Sequence, residues 1–328
     1  MFFADKTVLV TGATGLIGSN LVNTLLASGA RVIAVSRKVY ESCFDDKILC
    51  EKRSQLVCVQ GDISSMSTDY FDTAGAKKID YVFHAASPIA GEVIKTSPLS
   101  VIQPNIFGLM NLFDASVKHC QKPRFIIFSS ATVYGNVISA GNGTESCAFC
   151  EEQTESAESL SGLNAPYSES KRMAEVIAQS YVRQFDCDAV IVRPSYVYGY
   201  TKNIPNTAFY QFIQNVLNNR DVVLKSTIFT KRDNIHIDDV ISALLLIAQK
   251  ARSGDVFNIS SNNTLSNYAS IDAIARIIVS SANSLGKKCR LIVPDNTVIQ
   301  NGAILDNTRL KNLGWEMNQS LEDGILVC

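Results

Sequence analysis

Apolar and polar positions follow two alternating periods along the first two thirds of this chain. The run TVLVT at 7–11 is short, β-branched and apolar, and it stops at Gly12; such a run predicts a strand buried on both faces. From Leu16 the period changes, and Leu16, Ile17, Leu21, Val22, Leu25 and Leu26 share one face of a helix. Gly29 stands where a left-handed C-terminal cap would close that helix. Further apolar runs at Arg31–Val35, Gln55–Gln60, Asp80–His84, Arg124–Phe128 and Ala189–Arg193 predict five more strands. Helical periodicity over Pro104–His119 and Ser170–Gln184 fills two of the intervals. Continuous apolar strands alternating with helices predict an α/β fold, a doubly wound parallel sheet of Rossmann type covered on both faces.

After Gly199 the alternation lapses, returns over Asn234–Leu246 and Val256–Ile259, and lapses again. The sheet domain is therefore read as 1–199 with 233–258. A smaller, largely C-terminal lobe takes 200–232 with 259–328. The stretch 136–164 is rich in Ser, Gly and Glu, and is expected to be a loop beside the site because it cannot build a core.

The bulk numbers mainly exclude. The 328 residues carry 30 basic and 31 acidic side chains, a formal net charge of −1, so no footprint for nucleic acid or an anionic membrane is expected. No apolar run is long enough to span a bilayer. Asp5 and Lys6 interrupt MFFADKTVLV where a secretory segment would continue. Nine cysteines, an odd count, favour reduced thiols and a cytoplasmic location. Cys147 and Cys150 have metal-like spacing, but with three scattered histidines in the chain no metal site is expected. The glycosylation acceptor pattern Asn142-Gly-Thr144 is read as coincidence in a chain without a secretory route.

Candidate chemistry begins at Gly12-x-x-Gly15-x-x-Gly18, which follows a strand and opens a helix. Gly12 permits a tight turn, Gly15 a close approach of backbone to pyrophosphate, and Gly18 close packing of helix on strand. The helix N-terminus then offers free N–H groups to the phosphates of a dinucleotide; Thr14, Leu16 and Ile17 belong to the same turn. At the end of the second strand, where an acid would bind the ribose hydroxyls of NAD, stand Ser36, Arg37 and Lys38. An arginine there can pair with a 2′-phosphate and stack on adenine, which favours NADP over NAD.

The spacing TGxxGxxG occurs together with Asp62 in GDI, HAAS at 84–87, SSATVYG at 129–135 and Tyr167-Ser-Glu-Ser-Lys171. With RPSYVYG at 193–199, RDNIHIDD at 232–239 and LGW at 313–315, this ordered set resembles the extended short-chain dehydrogenase/reductase family of nucleotide-sugar epimerases and dehydratases over nearly the whole chain. The resemblance implies dinucleotide binding by the sheet domain, a sugar-nucleotide substrate bound by the lobe, and a homodimer. It implies Tyr167, Lys171 and Ser130 as catalytic residues, with Tyr167 and Lys171 also touching the cofactor. It places Asp62 and Ile63 at adenine, and Ala85, Ala86, Ser87 and Pro194 along the cofactor. Thr132, Tyr196 and Arg232 join Ser130 around the substrate, Arg232 gripping the diphosphate. Asn105 is expected to brace, and His236 to be structural, with Asp238 capping the helix that follows it.

Physical chemistry supports the central pair separately. Tyr167 and Lys171 are four apart, so on a helix they share a face. A tyrosine titrates near pH ~10, and bringing it to ~7 takes about 4 kcal/mol. One ammonium at about 4 Å in an intermediate dielectric supplies roughly that much. The phenol could then exchange a proton with a sugar hydroxyl while Ser130 donates to the developing oxyanion.

Departures from the family narrow the reaction. Ala131 and Thr132 stand where the 4,6-dehydratases carry an Asp-Glu pair, so elimination of water lacks its usual acid, and SSATVYG is most similar to the 4-epimerases. Tyr196 replaces a usual Asn, and VPDN at 293–296 replaces a usual Arg-x-Gly-Asp. The expectation is an NAD(P)-dependent C4 epimerase, with an NADP-dependent 4-ketoreductase second and a non-catalytic dinucleotide binder third.

Overall fold

The apolar runs pair side by side. A computed structural model describes residues 2–39, 41–65, 78–88, 91–135, 148–153, 159–262 and 266–328. Its strands are β1 (Thr7–Thr11), β2 (Arg31–Ser36), β3 (Leu56–Gln60), β4 (Tyr81–His84), β5 (Arg124–Phe128), β6 (Asp188–Pro194), β7 (Tyr196–Tyr198), β8 (Val222–Val223), β9 (Ile228–His236), β10 (Val256–Ile259), β11 (Tyr268–Ala269), β12 (Leu291–Ile292) and β13 (Val298–Asn301). Seven of them form one sheet in the order β10-β6-β5-β4-β1-β2-β3, and every adjacent pair is parallel.

The two-residue period of a strand splits the core into two layers. Val8, Val10, Val32 and Ala34 face Leu21, Leu25, Ile241 and Leu244 on one side of the sheet. Leu9, Ile33 and Val35 face Leu112, Phe113, Ala174 and Ala178 on the other. Helices on both faces are what the apolar runs predicted. Gly29 closes the Leu16–Ala27 helix as expected: its φ is 86°, Gly29 N–H donates to the Leu26 carbonyl, and Ala30 N–H reaches back to that of Leu25, the paired bonds of a left-handed C-terminal cap.

Three local expectations differ from what is observed. The helix predicted from Ser170 begins at Ala165, with Pro166 in its first turn, a position where proline costs no backbone bond; Tyr167 therefore sits inside the helix. The helix predicted over Pro104–His119 starts earlier, at Leu99–Gln103, passes through a π turn at Pro104–Gly108 and continues as Leu109–Lys118. The cap before Ile237–Lys250 is His236, whose ring accepts from Asp238 N–H, whereas Asp238 lies in the first turn. His236 is 2% exposed and structural in that sense.

Beyond the sheet, β9 pairs with β7, β11 and β13 and is a single strand running through positions 232 and 233. A separate core of Tyr198, Phe212, Phe229, Ile274 and Ile278 lies there. Cys147, Asn142-Gly-Thr144 and most of 136–164 fall outside the described residues. Among the described residues, no group of three or more His, Cys, Asp or Glu side chains could hold a metal, and no helix is long and apolar enough to cross a membrane.

Candidate active site

Strand β1 has β2 on one side and β4 on the other, so the order of connection reverses at its C-terminal end, where open α/β sheets bind ligands. Gly12 occupies that end with φ 66°, and a Cβ there would lie 2.7 Å from the Ala85 carbonyl carbon. A Cβ on Gly18 would lie 2.2 Å from the Gly12 oxygen. Both glycines are thus required by the fold itself. Gly15 is different: a Cβ would meet protein only at 3.4 Å. It takes the cap position of the Leu16–Ala27 helix, where no side chain bonds the first N–H groups and no acid occupies the first turn. Those donors remain for an anion.

One cleft runs along this end of the sheet, lined by Gly12, Thr14, Gly15, Ser36, Arg37, Asp62, Ile63, Ala85, Ala86 and Ser87. Ser100, Gln103 and Pro104 complete the wall; no sequence motif pointed to them, since they belong to the irregular part of a helix. Leu16, Ile17, Gly18, Tyr167, Lys171 and Pro194, expected at the cofactor, are not among the lining residues. Leu16 and Ile17 pack their side chains against the core, so what they offer a ligand is backbone. Pro194 ends β6 opposite Ile259. The Thr14 and Ser36 hydroxyls are 3.0 Å apart and hydrogen-bonded, and the Asp62 carboxylate accepts from Ser64 N–H at 2.9 Å, while Arg37 is exposed at the rim.

A directed chain of bonds supports the cleft floor. The buried His84 imidazole has Nε2 3.1 Å from the Pro104 carbonyl and Nδ1 2.9 Å from the Thr11 hydroxyl. A carbonyl only accepts, so Nε2 carries the proton and Nδ1 accepts from Thr11; Thr11 Oγ1 then accepts from Ala86 N–H at 3.3 Å. Burial, with the nearby Lys171 charge, pushes the His84 pKa down to about 3, which keeps it neutral and the chain intact. Asn105, expected to brace the sheet, joins two helices instead: it donates to the Ser170 hydroxyl at 2.9 Å and to the Val101 carbonyl at 3.0 Å.

Tyr167, Lys171 and Ser130 come together where β5 ends. The Lys171 amine donates to the Phe128 carbonyl at 2.6 Å and lies 5.8 Å from the centre of the Tyr167 ring. Ser130 lies close enough to the Tyr167 phenol to favour its ionised form, and its hydroxyl accepts from Thr132 N–H at 3.2 Å. The electrostatics depart from expectation. Burial holds the Tyr167 pKa above its ordinary value, and Ser130 only partly opposes this. Burial likewise pushes Lys171 down to about 7, against the pull of Glu175. The expected direction for the phenol is reversed because both groups lose water at once and the amine is turned toward a backbone carbonyl. Buried hydroxyls at Ser87 and Thr132 have no hydrogen-bond partner, polar atoms of a kind that a bound group would satisfy.

The remaining substrate candidates lie one over the other. Arg232 lies 4.5 Å from the Tyr196 ring centre, and Tyr196 is 43% exposed. Arg232 and Asp233, being successive on β9, point to opposite faces. Asp233 turns inward and accepts from Ser261 and Leu305, so no carboxylate from that neighbour competes for the guanidinium.

The Lys171 shift predicts a pH dependence of stability. Its folded value, about 7, lies below its ordinary unfolded one, so between the two the unfolded chain holds the extra proton and stability rises with pH. Below about 7 the penalty is complete, on the order of 5 kcal/mol from the shift. Urea midpoints of the wild type are expected to climb from pH 7 toward 10 relative to Lys171→Met, which should be the more stable of the two at pH 7. Parallel profiles would show that the amine is not desolvated.

The NAD dependent epimerase/dehydratase family matches residues 8–260. A dTDP-D-glucose 4,6-dehydratase of Dictyostelium discoideum is 28% identical over 277 residues, 83% of this chain; the chain spans 62% of that protein's length. An epimerase of Methanothermobacter thermautotrophicus superposes with TM-score 0.78 at 20% identity, covering 99% of this chain and 91% of its own. The UDP-glucose 4-epimerase of Thermotoga maritima, solved with UDP-glucose, gives TM-score 0.75 at 24% identity over 98% of this chain and 96% of its own. At such identities the two structures show a shared fold. The family match over most of the chain carries more: this protein belongs to the NAD dependent epimerase/dehydratase family, the extended short-chain dehydrogenase/reductases, and is an enzyme of that family.

Proposed function

We propose that this enzyme interconverts sugar nucleotides by reversible hydride transfer at C4, as an epimerase, with the sheet domain holding the dinucleotide and the lobe holding the substrate. The observation that carries the reading is the meeting of Ser130, Tyr167 and Lys171 at the end of β5, with Ala131 and Thr132 where a dehydratase needs an acid. A nicotinamide dinucleotide, when bound, accepts a hydride and returns it. The residues that would hold it are Gly15, by its open backbone, with the N–H groups of Leu16 and Ile17 for pyrophosphate, and Ser36, Arg37, Asp62 and Ile63 for the adenosine end. Toward the nicotinamide they are Ala85, Ala86, Ser87, Pro194, Tyr167 and Lys171.

Tyr167 takes the proton of the C4 hydroxyl and later returns it to the ketone oxygen, once the sugar has turned to present the opposite face of its C4 carbon. Ser130 donates to the oxygen as its charge grows. Lys171, cationic beside a phenolate, favours the ionised form that burial alone opposes. Thr132 and Tyr196 border the sugar, and Arg232, over the Tyr196 ring, presents its fork to a diphosphate.

A second reading, an NADP-dependent 4-ketoreductase, is favoured by Arg37 at the rim of the cleft. The two are separated by denaturing purified protein and identifying what it releases. Stoichiometric NAD is the expected result; an empty protein that takes up NADPH, and loses that preference on Arg37→Asp, would replace the epimerase by the reductase. A homodimer fits the exposed Phe107, Met110, Met173 and Val176, 37–54% accessible, on the two helices joined by the Asn105–Ser170 bond. Sedimentation should give twice the chain mass, falling to one on Met173→Glu with Phe107→Glu. A monomeric wild type would remove the dimer.

A further inference from the structure

A buried polar network behind the reacting trio joins Glu175, which no sequence motif singled out, to Arg193, Ser129 and Tyr134, which the quoted motifs contain without a role. Glu175 follows Lys171 by four on the Ala165–Phe185 helix and shares its face. Its carboxylate accepts from Arg193 Nε at 2.8 Å and from the second guanidinium nitrogen at 2.7 Å, a bidentate fork. It also accepts from the Ser129 hydroxyl at 2.5 Å. The remaining guanidinium arm donates to the Tyr134 hydroxyl at 2.8 Å and the Glu151 carbonyl at 2.9 Å, so the fork is held from both sides and cannot swing. The Arg193 side chain is 3% exposed and that of Glu175 14%.

The consequence lies at β5. The amine of Lys171 holds the carbonyl of Phe128, and Glu175 holds the hydroxyl of Ser129; the next residue is Ser130. Two bonds on successive residues, both from one helix, set where the Ser130 hydroxyl stands relative to Tyr167. We propose that Glu175, clamped by Arg193, is a positioning residue that keeps Ser130 in reach of Tyr167 and presents its charge to the Lys171 amine one helical turn away. This rests on the reading of Tyr167, Lys171 and Ser130 as the reacting groups.

Charge enters by the same geometry. Lys171 meets Glu175 and Tyr167 on its own helix and the neutral His84 from β4; Glu175 meets Arg193 from β6 and Ser129 from β5. Of these, only the Glu175 carboxylate favours protonated Lys171, while burial of Tyr167 disfavours its phenolate. Removing the carboxylate's charge should leave the amine easier to deprotonate.

The test follows the ε-carbon resonance of Lys171 with pH in ¹³C-labelled unliganded protein, assigned with Lys171→Arg, alongside kcat and KM on UDP-glucose as probe. Glu175→Gln is expected to lower the Lys171 midpoint by at least about half a unit. Ser129→Ala keeps the ion pair; it should leave that midpoint in place, yet lower kcat at least about tenfold with KM little changed, because only the placement of Ser130 is disturbed. An unmoved midpoint in Glu175→Gln, or a wild-type kcat in Ser129→Ala, overturns the proposal. Should Glu175→Gln fail to fold with its buried arginine unpaired, the Ser129→Ala kcat decides alone. A wild type that does not turn over UDP-glucose counts against the epimerase reading, while the titration still judges Glu175.

Discussion

Tyr167→Phe is expected to lower kcat at least about a hundredfold, the usual cost of losing a general acid–base, or about 2.7 kcal/mol of transition-state stabilisation. The ring stays, so its contacts along the helix stay, and Lys171 keeps its bond to the Phe128 carbonyl. Dinucleotide affinity should therefore change little. The unfolding free energy should change by less than about 1.5 kcal/mol, because the variant loses at most one hydrogen bond and also sheds a desolvated polar group. Steady-state kinetics with a sugar nucleotide, together with calorimetric titration of NAD, measure the two halves of this expectation. Turnover equal to wild type would mean that no proton passes through this hydroxyl.

The second large effect belongs to the glycine turn, where two neighbouring substitutions should behave differently. Gly12→Ala puts a side chain at φ 66° and 2.7 Å from the Ala85 backbone. The left-handed conformation alone costs about 1–2 kcal/mol, and the clash forces the β4 end, with Ala86 and Thr11, to move. Both stability and dinucleotide binding should fall, the latter by more than about a hundredfold, since a misplacement of ~1 Å has that scale of effect. Gly15→Ala meets protein only at 3.4 Å, so its unfolding midpoint should stay within about 1 kcal/mol of wild type. Its Cβ instead enters the space in front of the helix N-terminus, and binding of NAD should weaken as much as in Gly12→Ala. Calorimetry and urea unfolding of the two variants separate fold from site. Normal affinity in Gly15→Ala would mean that the pyrophosphate lies elsewhere.

Much of this was legible from the chain because it depends on local periodicity. TVLVT and its successors are strands in the structure, and the alternation of Val8, Leu9 and Val10 between two cores is the two-residue period that any buried strand has. The misplacements are informative. The start of the Ala165–Phe185 helix and the π turn at Pro104–Gly108 were missed because prolines suppress the helical signal at positions where tertiary packing tolerates them. His236 displaced Asp238 as cap because capping depends on backbone angles at the strand end, which composition does not reveal. Gln103 and Pro104 in the cleft wall and Glu175 behind the trio carry no pattern of their own, and Arg193 stood only as the first residue of RPSYVYG; Pro104 meets His84 across 20 residues, and Glu175 meets Arg193 across 18 and Ser129 across 46.

By itself, the sequence determined the order of strands and helices, the glycine spacing that makes a turn before a helix, and the sharing of one face by Tyr167 and Lys171. These follow from covalent geometry and near-neighbour sterics, which a local stretch carries with it. Only the tertiary structure decided that the Lys171 amine meets the Phe128 carbonyl, that Arg232 stacks on Tyr196, and that the Tyr167 phenol is harder to ionise than in water. Desolvation and charge interaction are sums over whatever surrounds a group, and those surroundings arrive from β4, β5, β6 and β9 only once the chain has folded.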